Sequence, residues 1–190
     1  MTVSRPEPHA WAAHLDAVAR SVNAGPDCDE SPPASLLRAA RGGPGPERLL
    51  WAAAVAGGGL REDLLDLSAA GPLWDAGQWS AIEVWTEGEL CGLHALGRLR
   101  RTRPDLAAAV GRRLRSAIDW HLEHTQPDNA THRPWAIHLF LGHPDAEIDL
   151  YGQTLLHNFE AAGRGDRDAA WILLDAAREI RLDPAVATRW

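Results

Sequence analysis

Leu106, Val110, Leu114, Ile118 and Leu122 recur every four residues behind Pro104. A strand alternates its faces every two residues, so this spacing commits the segment to a helix with one buried stripe. Proline at a first helical position suits it, since that N–H has no intrahelical partner. The spacing predicts a long helix from Pro104 to about His124.

The same period recurs along the chain. Trp11, Leu15, Val18 and Val22 mark a first helix from Pro6 or Glu7 to about Asn23. Short helices over 33–41, 47–56 and 60–68 are expected between glycine- and proline-rich breaks such as Gly42-Gly43-Pro44-Gly45-Pro46 and Gly57-Gly58-Gly59. Thr86-Glu87-Gly88-Glu89 has capping-box spacing for a helix to about Arg101. A start near Ser80 would instead put Ile82, Trp85, Glu89 and Leu93 on one face. Pro134 opens a short helix over 135–141. Ile148, Tyr151, Leu155 and Phe159 mark another, begun by Pro144 or Asp145 and ending near Ala162. Ala169, Ile172, Leu173, Ala176 and Ile180 mark the last, capped by Asp166 or Asp168 and stopped by Pro184. No alternating run and no Asn-Gly or Asp-Gly hairpin is present. The expected fold is all-α, built from antiparallel helical hairpins, in one domain over 1–190. Residues 1–70 form its interrupted part and 71–190 its main hairpins.

Charge and composition exclude several functions. A net charge of −7 argues against nucleic-acid binding through phosphate neutralisation. All 19 basic residues are arginine, which rules out Schiff-base lysines, lysine-bearing phosphate loops and serine–lysine dyads. The cluster Arg98, Arg100, Arg101, Arg103, Arg112, Arg113 and Arg115 reads as a solvated face. No run of about 18 apolar residues is present to span a membrane. The N-terminus has no signal-peptide pattern, and two cysteines make no disulfide framework, so a cytoplasmic protein is expected. No Gly-x-Ser-x-Gly elbow or glycine-rich nucleotide motif occurs.

Residues 120–138 hold four of the nine histidines and two of the nine tryptophans, around a polar loop over 125–134. His121 and His124 leave the end of one helix, His138 lies one turn into the next, and His157 sits beside a later stripe. These imidazoles could converge on a divalent metal, with Asp128 or Glu87 supplying oxygen. The spacing is no known zinc signature, and hydrogen-bonding histidines with no cofactor are the preferred reading. His121, Asp128, His138 and Glu87 are the catalytic candidates. Trp135, Asn129, His157, His124 and Trp79 are the ligand-binding candidates, with Trp79 and Trp135 as an apolar or sugar-stacking wall. Each also has a plainer role: Asp128 and Asn129 as turn formers, Glu87 as a first-turn acid, the tryptophans as core. Glu87 with His94 could form an acid–base pair, and Cys91 with His94 a thiolate–imidazole pair. A small buried cysteine beside a core-edge histidine is the simpler account.

The run Gln126-Pro127-Asp128-Asn129-Ala130-Thr131-His132-Arg133-Pro134-Trp135-Ala136, followed by Thr154-Leu155-Leu156-His157-Asn158, resembles a pattern in uncharacterised bacterial all-helical proteins related to part of an α/α toroid. The resemblance covers about residues 80–180 and implies helical hairpins whose connecting loops make a central cleft, with an orthogonal helical bundle as the other arrangement. It implies no known activity. With about three hairpins instead of a full ring, an enclosed cleft would need a homodimer or another partner. The expectation is a polar small-molecule site at the 120–138 loop, with hydrolase- or lyase-like chemistry on a polar, carbohydrate-like substrate. The alternative is a non-catalytic helical interaction or scaffold domain.

Overall fold

Seven consecutive residues, 135–141, are almost wholly removed from solvent, and the helices are arranged around them. The computed structural model describes residues 7–22, 32–36, 45, 51, 65–125, 132–163 and 165–188. Its helices are α1 (Pro8–Val22), α2 (Ile82–Thr102), α3 (Ala107–His124), α4 (Ile137–Phe140), α5 (Ala146–Ala162) and α6 (Arg167–Leu182), with 3-10 turns at Ala76–Gln78 and Val186–Thr188. The fold is all-α, with no strand among the described residues. No described helix is long and apolar enough to cross a membrane. The short helices expected before residue 65 lie largely outside the described residues.

The stripes become the core. Val110, Leu114 and Ile118 of α3 are fully buried, as are Leu93, Leu96 and Leu99 of α2 to within 1%. Residues 103–106 link α2 to α3, which pack together as a hairpin. α1 runs along α6, where Arg181 reaches the Ala12 carbonyl and Asp16. The four-residue α4 is far too short to be stable alone. It packs on α2, α5, α6 and the final 3-10 turn, so tertiary burial maintains it.

Helix ends follow local chemistry. α2 takes the earlier of its two expected starts: Ala81 is its N-cap, and Thr86 donates to the Ile82 carbonyl within the helix instead of capping it. The residues after Pro104 form a turn, so α3 begins three residues later than the proline suggests. α4 begins at Ile137 because Ala136 adopts φ +59°, a left-handed conformation that interrupts any helix running on from Pro134. Asp145 and Asp166 cap α5 and α6 with side-chain oxygens.

Two glycines one turn apart on α2 let the preceding connector lie flat on the helix. A Cβ on Gly92 would come within 2.4 Å of the Trp74 ring, and one on Gly88 within 2.5 Å of Trp79. Trp79 is thus a half-buried ring seated on Gly88.

Trp135 is 3% exposed and meets the Trp51 and His94 rings edge-on at 5.3 and 5.4 Å. Trp135→Ala is expected to cost about 3–5 kcal/mol of unfolding free energy in urea titrations. Gly92→Ala is expected to cost about 1–3 kcal/mol by displacing Trp74, with a change in tryptophan emission on the folded baseline.

Candidate functional site

Two buried polar networks meet at the two ends of the loop between α3 and α4. The first is built on Glu89, which the α2 register places on the Trp85–Leu93 side of the helix. It is fully buried. Its Oε2 accepts the Leu73 N–H at 2.8 Å and its Oε1 the Trp74 N–H at 2.6 Å. From α3, Arg113 donates to the Gly71 carbonyl at 2.7 Å and to the Pro72 carbonyl. One buried charge thus holds the connector's N–H groups and the other its carbonyls. Burial lowers the Arg113 pKa, and the carboxylates of Glu89 and Asp66 oppose that shift. Unpaired, either charge would be costly in this interior.

His121 extends this network towards the loop. Its Nε2 lies 3.2 Å from Glu89 Oε2 and its Nδ1 3.0 Å from Thr125 Oγ1. Thr125 also reaches the His121 carbonyl at 2.9 Å and the Tyr151 hydroxyl at 3.5 Å. Burial pushes the Tyr151 phenol up to about 12, the Thr125 contact opposing it. Glu89 and His121 are completely enclosed, whereas Thr125 is half-buried where the chain leaves α3.

The second network centres on His94, which is also fully buried. Its Nδ1 accepts the Ala136 N–H at 3.1 Å, so its Nε2 carries the hydrogen donated to Asp175 Oδ2 at 3.0 Å. Asp175 also accepts from Arg98. Burial would raise the Asp175 pKa, but the His94 and Arg98 contacts outweigh it and hold the carboxyl below the usual range. His138 packs edge-on against His94 with centroids 4.5 Å apart, and neither of its ring nitrogens has a hydrogen-bond partner among the described residues. Burial, then His94, lowers its pKa well below the ordinary histidine value.

Between the networks, Arg133 fastens the loop exit to the starts of α2 and α6. Its Nε donates to Asp166 at 3.1 Å, and its guanidinium lies 3.5 Å from Glu87 and 3.8 Å from Asp168. His132 approaches Asp166 at 3.3 Å.

The expected site residues therefore divide. His121 joins Glu89 and Thr125, whereas His138 joins His94. Glu87 faces Arg133. His124 is half-exposed, stacked on Trp120 at 4.6 Å with its Nδ1–H donated to the Trp120 carbonyl. His157 is exposed on α5, and Trp135 is enclosed beside Trp51. Asp128 and Asn129 lie outside the described residues. Among the described residues, no group of three or more histidine, cysteine, aspartate or glutamate side chains is placed to hold a metal. A cleft of about 440 Å³ lies between the ends of α2 and α6, lined partly by Gly97, Arg101, Glu179 and Leu182. There Arg101 and Glu179 pair with each other through two bonds of 2.7 Å.

Glu89, Arg113, Thr125 and Asp175 were not among the sequence candidates. Arg113 departs from the solvated face expected of its cluster: it is buried, while Arg112 and Arg115 are exposed. A signal existed, because Arg113, Ala117 and His121 form a second four-residue row beside Leu114 and Ile118.

Three donors converge on Glu89, and an amide has one oxygen to offer them. Glu89→Gln is therefore expected to cost about 3 kcal/mol in urea unfolding, whereas exposed Glu83→Gln should stay within about 0.5 kcal/mol. Comparison of the chain with protein-family models, curated proteins and solved structures finds no match.

Proposed function

We propose that the protein binds a small polar ester at the root of the loop between α3 and α4 and hydrolyses it through Thr125, His121 and Glu89. The supporting observation is the graded burial of a hydroxyl, an imidazole and a carboxylate joined in series. The hydroxyl is half-exposed and the other two are enclosed. Nucleophilic hydrolysis uses these groups in this order. With Nε2–H donated to Glu89, the His121 Nδ1 accepts the Thr125 hydroxyl hydrogen once that hydroxyl turns from the His121 carbonyl to which it otherwise donates. As that proton passes to Nδ1, Oγ1 bonds to the acyl carbon. The imidazole then returns the proton to the departing alkoxide, and water releases the acyl group by the same path. Arg133, held by Glu87 and Asp166, keeps the far end of the loop in register with this centre.

The second reading is a non-catalytic helical interaction domain. It draws support from the fold-internal bonds of the same groups: Glu89 braces two connector N–H groups, and Thr125 reaches the His121 carbonyl.

Both readings are tested by incubating the protein with short-chain p-nitrophenyl esters and a fluorophosphonate, followed by peptide mass analysis. The catalytic reading expects a single adduct on Thr125 and ester turnover. Thr125→Val should abolish both, and His121→Gln should lower turnover at least about 100-fold with the fold retained by circular dichroism. No adduct and no turnover by the folded wild-type protein would overturn it in favour of the interaction domain.

A further inference from the structure

The enclosed helix α4 carries one polar side chain that neither the fold nor the proposed chemistry uses. His138 is fully buried, and neither ring nitrogen has a partner among the described residues. A Cβ on Gly97 would lie 2.8 Å from its Nε2, so α2 can pass this ring because residue 97 is glycine. The same short segment is anchored two residues earlier: the Ala136 N–H donates to His94 Nδ1 while Ala136 sits at φ +59°. A non-glycine residue persists there only while its surroundings over-determine it.

We propose that residues 133–141 form an acid-released latch, in which His138 takes up a proton by leaving its seat against α2. That departure also breaks the Ala136–His94 bond and frees the exit of the loop. The proposal goes beyond the Thr125 chemistry and does not rest on it.

The groups facing His138 make the seat a poor place for a cation. From α2 come His94, Arg98 and Arg101, the two arginines opposing a second positive charge. From α6 comes Asp175, whose carboxylate attracts it but already holds His94 and Arg98. From α5, Tyr151 stacks on Phe140, and Asp149 accepts the Gly142 N–H at 2.7 Å, so these occupy the neighbouring residues of the segment. The final 3-10 turn, Val186–Thr188, brings no titratable side chain. With no acceptor on either nitrogen, the charged ring gains most by reaching water.

The direction of the pH effect follows. In the closed form burial holds the His138 pKa well below 6.5, and in the open form the ring regains its ordinary value. The open form therefore binds the proton more readily. The closed state keeps its full advantage above that ordinary value and loses about tenfold, or 1.4 kcal/mol, per pH unit below it. The loss continues until the closed-state value is reached. α4 can open locally because its four residues make little structure of their own.

Hydrogen exchange of the full chain, read by mass spectrometry between pH 5 and 8 and corrected for intrinsic rates, tests the latch. Protection over 133–141 is expected to fall about fivefold from pH 6.5 to 5.5, with a smaller change in α3 and α6. His138→Leu should remove this dependence. Gly97→Ala, whose methyl would crowd Nε2, should lower protection of the same segment already at pH 7.5. A uniform acid loss across all helices, an unaltered acid response in His138→Leu, or unchanged protection in Gly97→Ala would each overturn the latch. The last holds even if the leucine variant fails to fold.

Discussion

The bond between the Ala136 N–H and His94 Nδ1 is the contact on which the arrangement of this protein turns. Residues 135–141 are enclosed on every side, yet only four of them are helical. An enclosed backbone must pair its polar groups within the protein. Local bonds serve much of the segment: the Leu139 N–H reaches the Ala136 carbonyl at 2.8 Å and the Leu141 N–H the Ile137 carbonyl at 3.1 Å. The Ala136 N–H, turned aside by the left-handed residue, is met by an imidazole from α2. Asp175 then fixes which nitrogen of that imidazole carries the hydrogen. A buried carboxylate on α6 therefore determines how the chain enters α4, through a histidine on α2.

The connector before α2 solves the same problem with opposite charges. Its N–H groups end on Glu89 and its carbonyls on Arg113, so the backbone there is held by a buried carboxylate and a buried guanidinium on adjacent helices. Both charges remain tolerable because the carboxylate oxygens and the two terminal guanidinium nitrogens are hydrogen-bonded and the charges attract each other. The two solutions are not independent of the loop between α3 and α4. The Glu89 network reaches its first residue through His121 and Thr125, and the His94 network holds its exit at Ala136.

The helices were legible in the sequence because amphipathic period is a local property. The rows through Val110, Leu114 and Ile118, or Leu155 and Phe159, state their burial without reference to any other segment. Asp145 and Asp166, each three residues before such a row, were among the expected starts of α5 and α6. The buried polar groups were not legible in that way. Glu89 and Arg113 look like ordinary surface charges until the connector that consumes them is known. His94 meets Asp175 across 81 residues and Ala136 across 42. No local pattern encodes partners so remote. The left-handed turn at Ala136 was equally hidden, since alanine gives no hint of positive φ. Asp128 and Asn129 remain expectations, as they fall outside the described residues.

The three buried histidines differ in what their nitrogens already hold, and that difference sorts their chemistry better than their positions in the sequence. His94 has both nitrogens committed, one to a backbone donor and one to a carboxylate. His121 commits one nitrogen to Glu89 and turns the other to the half-buried Thr125 hydroxyl, the order of groups on which the proposed hydrolysis rests. His138 commits neither, and its enclosure keeps it neutral while the segment stays seated. One imidazole therefore ties two helices together, one joins a carboxylate to a hydroxyl, and one has no partner among the described residues. His121 stands just before the entry of the loop between α3 and α4, and His138 just after its exit, seated against His94 of α2.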